Sequence, residues 1–172
     1  FSAGHHIQPP PPGQTEEDRR LQGIENFIYP KAGTVNGREI AVVNGGMDFP
    51  QIYKPVVSAI NGWAAGAGLY MTLTTTDIRI GCQEHARFFY AFTTNLGGIG
   101  SGPSATRVMK QLNYAHAMQF LLMDEPIGAD EAVRIGLINE SVPHDKIMTR
   151  AEEIAKKIAS LPPIAVRFLK EI

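Results

Sequence analysis

The sequence predicts one α/β domain, and three observations carry that reading. Residues 55–60 form a short apolar run that stops at Asn61-Gly62. Residues 77–81 alternate with period two, and the stretches between and after these two segments have the length and apolar spacing of helices. With 172 residues and 44% hydrophobic content, the chain is long enough to bury a core without disulfides or a structural metal.

Taken in order, Phe1-Ser2-Ala3-Gly4 opens the chain without an initiator Met or a signal-peptide pattern, so the chain is expected to begin inside a domain. Residues 8–13 carry four consecutive prolines, which favour an extended loop. Thr15 and the acids after it suit the start of a helix running to Ile28. Glycines and asparagines bracket residues 40–43, which fit either a short strand or an ordered loop. Residues 55–60 and 77–81 read as strands, and residues 64–75 between them as a helix that begins with Ala64, Ala65, Gly66, Ala67 and Gly68. Pro103 suits a first helical turn, and Val108, Leu112, Ala115 and Leu122 fall near one face of the helix that follows. Residues 129–135 read as a short helix closed by Gly136. Ile147, Ala151, Ile154, Ala155 and Ile158 mark an amphipathic helix before Pro162-Pro163, and another helix starts at Ile164.

Charge and composition remove several function classes. Sixteen Lys and Arg against 17 Asp and Glu leave no basic stripe for nucleic acid. The most apolar stretch, residues 56–73, is interrupted by Ser58, Asn61, glycines and threonines, so no membrane span is expected. The lone Cys82 is expected to form neither an internal disulfide nor part of a four-ligand zinc site, and reads as a small buried hydrophobe in a reducing, cytoplasmic setting.

Two segments with nearly inert side chains offer backbone chemistry: Gly66-Ala67-Gly68 and Ser2-Ala3-Gly4-His5. The first N–H groups of a helix lack intrahelical acceptors and can hold an anion or a developing oxyanion. Two such donors aimed at a carbonyl oxygen are worth about 3 to 4 kcal/mol each in acyl chemistry. Close packing of helix against sheet calls for the same small residues, and spacing alone leaves both readings open.

Residues 54–68, reading Lys-Pro, an apolar strand, and then Asn61-Gly62-Trp63-Ala64-Ala65-Gly66-Ala67-Gly68, resemble the signature of the crotonase (enoyl-CoA hydratase/isomerase) superfamily. Residues 1–5 resemble the other half of that family's oxyanion hole, residues 76–80 its next strand, and residues 126–140 its later helix and strand. The resemblance covers residues 1–7 and about 50–172, leaving residues 8–49 as a variable insertion in a single, incomplete domain. It implies a spiral of ββα turns with two roughly perpendicular sheets, assembly as a homotrimer or a dimer of trimers, and an acyl-CoA thioester as ligand. Coenzyme A is then part of the substrate, and no separate cofactor or metal is expected. Carried over by position, the oxyanion donors are the N–H groups of His5 and Ala67, supported by Ala3, Gly4, Gly66 and Gly68.

The departures matter as much. Hydratases of this family use two glutamates, and those positions fall here on Tyr70 and on Phe92 or Thr93. Phenylalanine transfers no proton, and tyrosine with an ordinary pKa of about 10 is a poor base near neutral pH. His6 stands where the family often has aspartate, and offers an imidazole near the expected site. Gly98 and Ser101 belong to a second glycine loop, where some relatives carry a catalytic acid. That loop lacks the strand and spacing of a dinucleotide fingerprint. Glu84 and His85 read as solvated turn residues. The expected function is an acyl-CoA enzyme that stabilises an enolate-like intermediate without the two-glutamate mechanism. The alternative is a catalytically silent thioester-binding or assembly subunit.

Overall fold

The computed structural model describes residues 13, 15, 33–35, 38–40, 54–93 and 104–171. The expected helix from Thr15 to Ile28 and the proline-rich loop lie largely outside them, as do residues 41–43. Among the described residues the chain is α/β. Strands β1 (Gly33–Val35) and β2 (Arg38–Ile40) form an antiparallel pair with Gly33 opposite Ile40. Two three-stranded sheets follow. One has the order β3 (Val57–Ile60), β5 (Ile78–Cys82), β8 (Glu140–Val142), all parallel. The other has the order β4 (Trp63–Ala65), β6 (Arg87–Phe89), β7 (Ile127–Gly128), parallel and then antiparallel.

Strands β3 to β6 alternate between the two sheets. Asn61-Gly62 separates β3 from β4, and residues 83–86 separate β5 from β6. Helix α1 (Ala67–Thr75) returns the chain from β4 to β5. The local order is therefore strand, strand, helix, strand, which corrects the expected helix over residues 64–75. Trp63–Ala65 pairs with Arg87–Phe89 through backbone groups, a constraint that single-strand propensity does not contain. Strand β5 is buried on both faces after Ile78, so its period-two pattern does not mark a solvent face.

Past the second glycine loop, helix α2 (Ser104–Gln111) ends before Asn113, whose side chain accepts the His116 N–H at 3.0 Å and caps α3 (Tyr114–Met123). That break changes the helical phase: Val108 and Leu112 are buried, whereas Ala115 and Leu122 face solvent, contrary to the single face expected from the sequence. Helix α4 (Ala129–Arg134) is followed by Gly136 with φ 86, a left-handed turn that favours glycine. A 3-10 turn (His144–Lys146), α5 (Ile147–Ala159) and α6 (Pro163–Glu171) complete the described chain.

The core joins both sheets to the helices through Ile60, Leu69, Ile80, Phe88, Val108 and Leu137, all fully buried. Each such side chain contributes on the order of 1.5 to 3 kcal/mol by leaving water. Arg79 is buried among them, and its guanidinium donates to Gln111 Oε1 at 2.8 Å, the Leu137 carbonyl at 2.7 Å and Thr76 Oγ1 at 3.1 Å. Burial lowers its pKa from the usual arginine value, with Asp77 opposing that shift. None of the helices among the described residues is long and apolar enough to cross a membrane.

Candidate active site

The β4–α1 junction is built on Gly66. Its φ of 52 and ψ of −118 lie where side chains with a Cβ are strained, so glycine is the residue that lets β4 turn directly into α1. The Gly66 N–H donates to the Phe89 carbonyl at 3.0 Å, which fixes the turn to the end of β6. The first helical hydrogen bond runs from the Tyr70 N–H to the Gly66 carbonyl at 3.0 Å. The Ala67, Gly68 and Leu69 N–H groups before it meet no acceptor among the described residues. Ala67 is half-buried, whereas Gly66, Gly68 and Tyr70 are buried.

Behind this turn, α1 presents no charged side chain. Its threonines bond back to the helix, Thr72 Oγ1 to the Gly68 carbonyl at 2.8 Å and Thr75 Oγ1 to the Met71 carbonyl at 2.8 Å. The positive end of the helix dipole at Ala67 therefore faces no acid in the first turn. Such a terminus can stabilise negative charge that arrives with a ligand.

Phe92 closes one side. A Cβ built on Gly66 would lie 3.9 Å from Phe92 Cζ, so the ring stands beside the glycine turn. The ring is buried and meets Tyr90 edge-on, with centroids 5.0 Å apart at 65°. Thr93 next to it is exposed and donates its hydroxyl to the Leu121 carbonyl at 3.0 Å, away from any acid–base role. The structure thus brings together Gly66, Ala67, Gly68 and Phe92. Tyr70 sits one helical turn along α1 with its side chain buried. Ala3, Gly4, His5, His6, Gly98 and Ser101 lie outside the described residues.

Sequence reasoning missed Asp124. It is buried, and its Oδ1 accepts the Ala91 N–H at 2.6 Å, holding the segment that carries Tyr90 and Phe92. The available signal was Asp124-Glu125-Pro126 after an apolar helix, a stop pattern that says nothing of a partner 33 residues upstream.

Comparison with known proteins sets these features in context. A family model described as enoyl-CoA hydratase/isomerase matches residues 34–172. A short-chain-enoyl-CoA hydratase of Clostridium acetobutylicum is 35% identical over 157 residues, covering 88% of this chain and 58% of that protein. A carnitinyl-CoA dehydratase of Proteus mirabilis is 36% identical over 119 residues, covering 69% of this chain and 44% of that protein. The crystal structure of an enoyl-CoA hydratase from Mycobacterium avium superposes with a TM-score of 0.64 at 32% identity, covering 70% of this chain and 53% of the other. The chain spans about half the length of the relatives it matches. The matched segment includes the whole β4–α1 turn, the Phe92 segment and both sheets, and by it this chain belongs to the enoyl-CoA hydratase/isomerase family.

Proposed function

We propose that the protein acts on an acyl-CoA thioester and stabilises an enolate-like state, with the Ala67 N–H as one oxyanion donor and the His5 N–H as the other. The observation that carries this reading is the Ala67 N–H at the start of α1, which meets no acceptor among the described residues and stands beside the Phe92 ring. A thioester oxygen held there gains negative charge as the adjacent carbon–carbon bond rearranges, and a fixed donor stabilises that state more than the ground state. Apolar Phe92 and buried surroundings keep the local dielectric low, which strengthens such a contact.

Two-glutamate hydration is not the mechanism proposed, because the positions that would hold the acids carry Tyr70 and either Phe92 or Thr93. Tyr70 then serves as a hydroxyl donor to substrate. His6, Thr93, Gly98 and Ser101 complete the substrate wall in the same proposal. Assembly as a homotrimer or a dimer of trimers fits the exposed Ile164, Phe168 and Leu169 on α6, which leave apolar surface for another subunit.

The test is product analysis by mass spectrometry after incubating the full-length protein with enoyl-, 3-oxoacyl- and malonyl-type CoA thioesters. Ala67→Pro removes one donor at a first helical position, where proline is tolerated, and should slow turnover by about 10²-fold or more. Unchanged turnover in the folded variant would refute the oxyanion assignment. A second reading, a silent thioester-binding subunit, is favoured by the same missing carboxylates. It predicts retained acyl-CoA binding with no product from any thioester.

A further inference from the structure

We propose that Cys82, His85 and His144 form a binding site for a borderline-soft divalent cation, with zinc the best fit. One ligand atom from each residue lies within 4.8 Å of the other two. Cys82 Sγ is 3.5 Å from His144 Nδ1. A tetrahedral ion with metal–sulfur near 2.3 Å and metal–nitrogen near 2.0 to 2.1 Å has a sulfur-to-nitrogen edge of about 3.5 Å. The His85 and His144 rings meet edge-on, with centroids 5.0 Å apart at 73°.

The three residues are joined by the fold, not by sequence proximity. Cys82 ends β5, His85 lies in the turn that leads to β6, and His144 opens the 3-10 turn just after β8. Strands β5 and β8 are paired, with Cys82 opposite Val142, so the ends of the two strands present these groups side by side. The thiol is buried whereas both imidazoles are exposed, which gives an ion a route in from solvent past the rings. A nucleophilic role for Cys82 fits this arrangement poorly, because a substrate needs access to the sulfur that an ion, a single small ligand-bound centre, does not.

Glu84 completes the chemistry. Its Oε2 accepts the Cys82 thiol at 3.2 Å and the His144 N–H at 3.0 Å. Metal binding requires the thiolate, so the S–H proton must leave as the sulfur–metal bond forms, passing to Glu84 or to solvent. One thiolate with two imidazoles is the donor set of zinc and its neighbours, and not of magnesium or calcium, which prefer oxygen. The bound ion would clip the β5–β6 turn to the start of the 3-10 turn. The carboxylate would steady the ligands or fill the fourth position.

The test is titration of the metal-free, full-length protein with Co²⁺ alone under reducing conditions, followed by Zn²⁺ as competitor. The proposal expects saturation at equimolar metal, a thiolate-to-cobalt charge-transfer band, loss of that band when Zn²⁺ is added, and a higher Tm with Zn²⁺. Cys82→Ser should abolish the band. His85→Gln and His144→Gln should each weaken Co²⁺ binding by about tenfold or more with an unchanged circular dichroism spectrum. No charge-transfer band in the wild type, or binding that both histidine variants leave intact, overturns the proposal. Because Cys82 is buried and its variant can lose the fold, the two surface histidines keep the test decisive.

Discussion

The Asp124 carboxylate accepts the Ala91 N–H at 2.6 Å, and both residues hold left-handed backbone, with φ of 45 and 66 respectively. Neither is glycine, so each conformation costs energy that the contact between them helps to offset. The pair fixes the segment leading to Phe92, and through it one wall of the candidate site. Asp124→Ala should destabilise the protein by about 1 to 3 kcal/mol, since it removes the carboxylate acceptor of the half-buried Ala91 N–H and keeps the left-handed strain. Asp124→Gly removes the same acceptor but relieves the strain, and should cost about 1 kcal/mol less. Urea unfolding of the two variants checks this ordering. Equal losses would mean that the strain contributes nothing.

Gly66 is a conformational requirement more than a spatial one. An added Cβ would meet only Phe92 Cζ at 3.9 Å, an ordinary contact, but φ 52 with ψ −118 is not open to alanine without strain. Gly66→Ala is therefore expected to cost about 1 to 3 kcal/mol and to rotate the Ala67 N–H off its present line. In turnover assays kcat should fall by about tenfold or more while acyl-CoA binding changes little. A loss confined to KM would show that the turn serves binding alone.

How much of this was legible in the sequence depends on the range of the interaction. Strand β3 was readable because its apolar run ends at Asn61-Gly62, β5 because its residues alternate with period two, and α5 because its apolar positions keep one phase. Strands β4 and β6 were not. They are three residues long, and what makes them strands is their pairing with each other. The α2–α3 break escaped notice because Asn113 acts as a cap, and that role depends on where its side chain turns. At the candidate site, Gly66, Ala67 and Tyr70 could be singled out because they lie within five residues, a local spacing that a motif preserves. The Ala91–Asp124 bond spans 33 residues and the Cys82–His144 contact 62, and such pairs exist only once the sheets have formed.

Gly81 illustrates a different constraint, that of space. A Cβ there would lie 2.8 Å from Ile138 Cδ1 and 3.0 Å from Ala129 Cβ, both inside the core. Gly81→Ala should therefore destabilise by about 1 to 3 kcal/mol through overpacking. Ile138→Val removes the Cδ1 atom in the way, so the double variant should recover part of the loss, with a coupling of about 1 kcal/mol in a double-mutant cycle. Thermal or urea unfolding of the four proteins measures it. Additive losses would show that Ala129, and not Ile138, sets the limit.

Arg150 on α5 donates to both carboxylate oxygens of Glu140 on β8, at 2.7 and 2.8 Å, which ties the helix to the edge of the sheet. Those hydrogen bonds hold the Glu140 carboxyl below the usual glutamate range and raise the Arg150 guanidinium. A depressed folded pKa stabilises the native state above the unfolded value, about 4.3 for glutamate, and that contribution is lost as pH falls through the folded pKa. Both side chains are more than a third exposed, so solvent screening keeps the contribution of the pair small. Arg150→Gln should accordingly be slightly less stable than the wild type near pH 6, and the gap should narrow as pH falls toward 3. Urea unfolding at the two pH values decides the matter. A gap that persists in acid would assign the contribution to packing of the arginine stem, because protonated Glu140 has no charge left to lose.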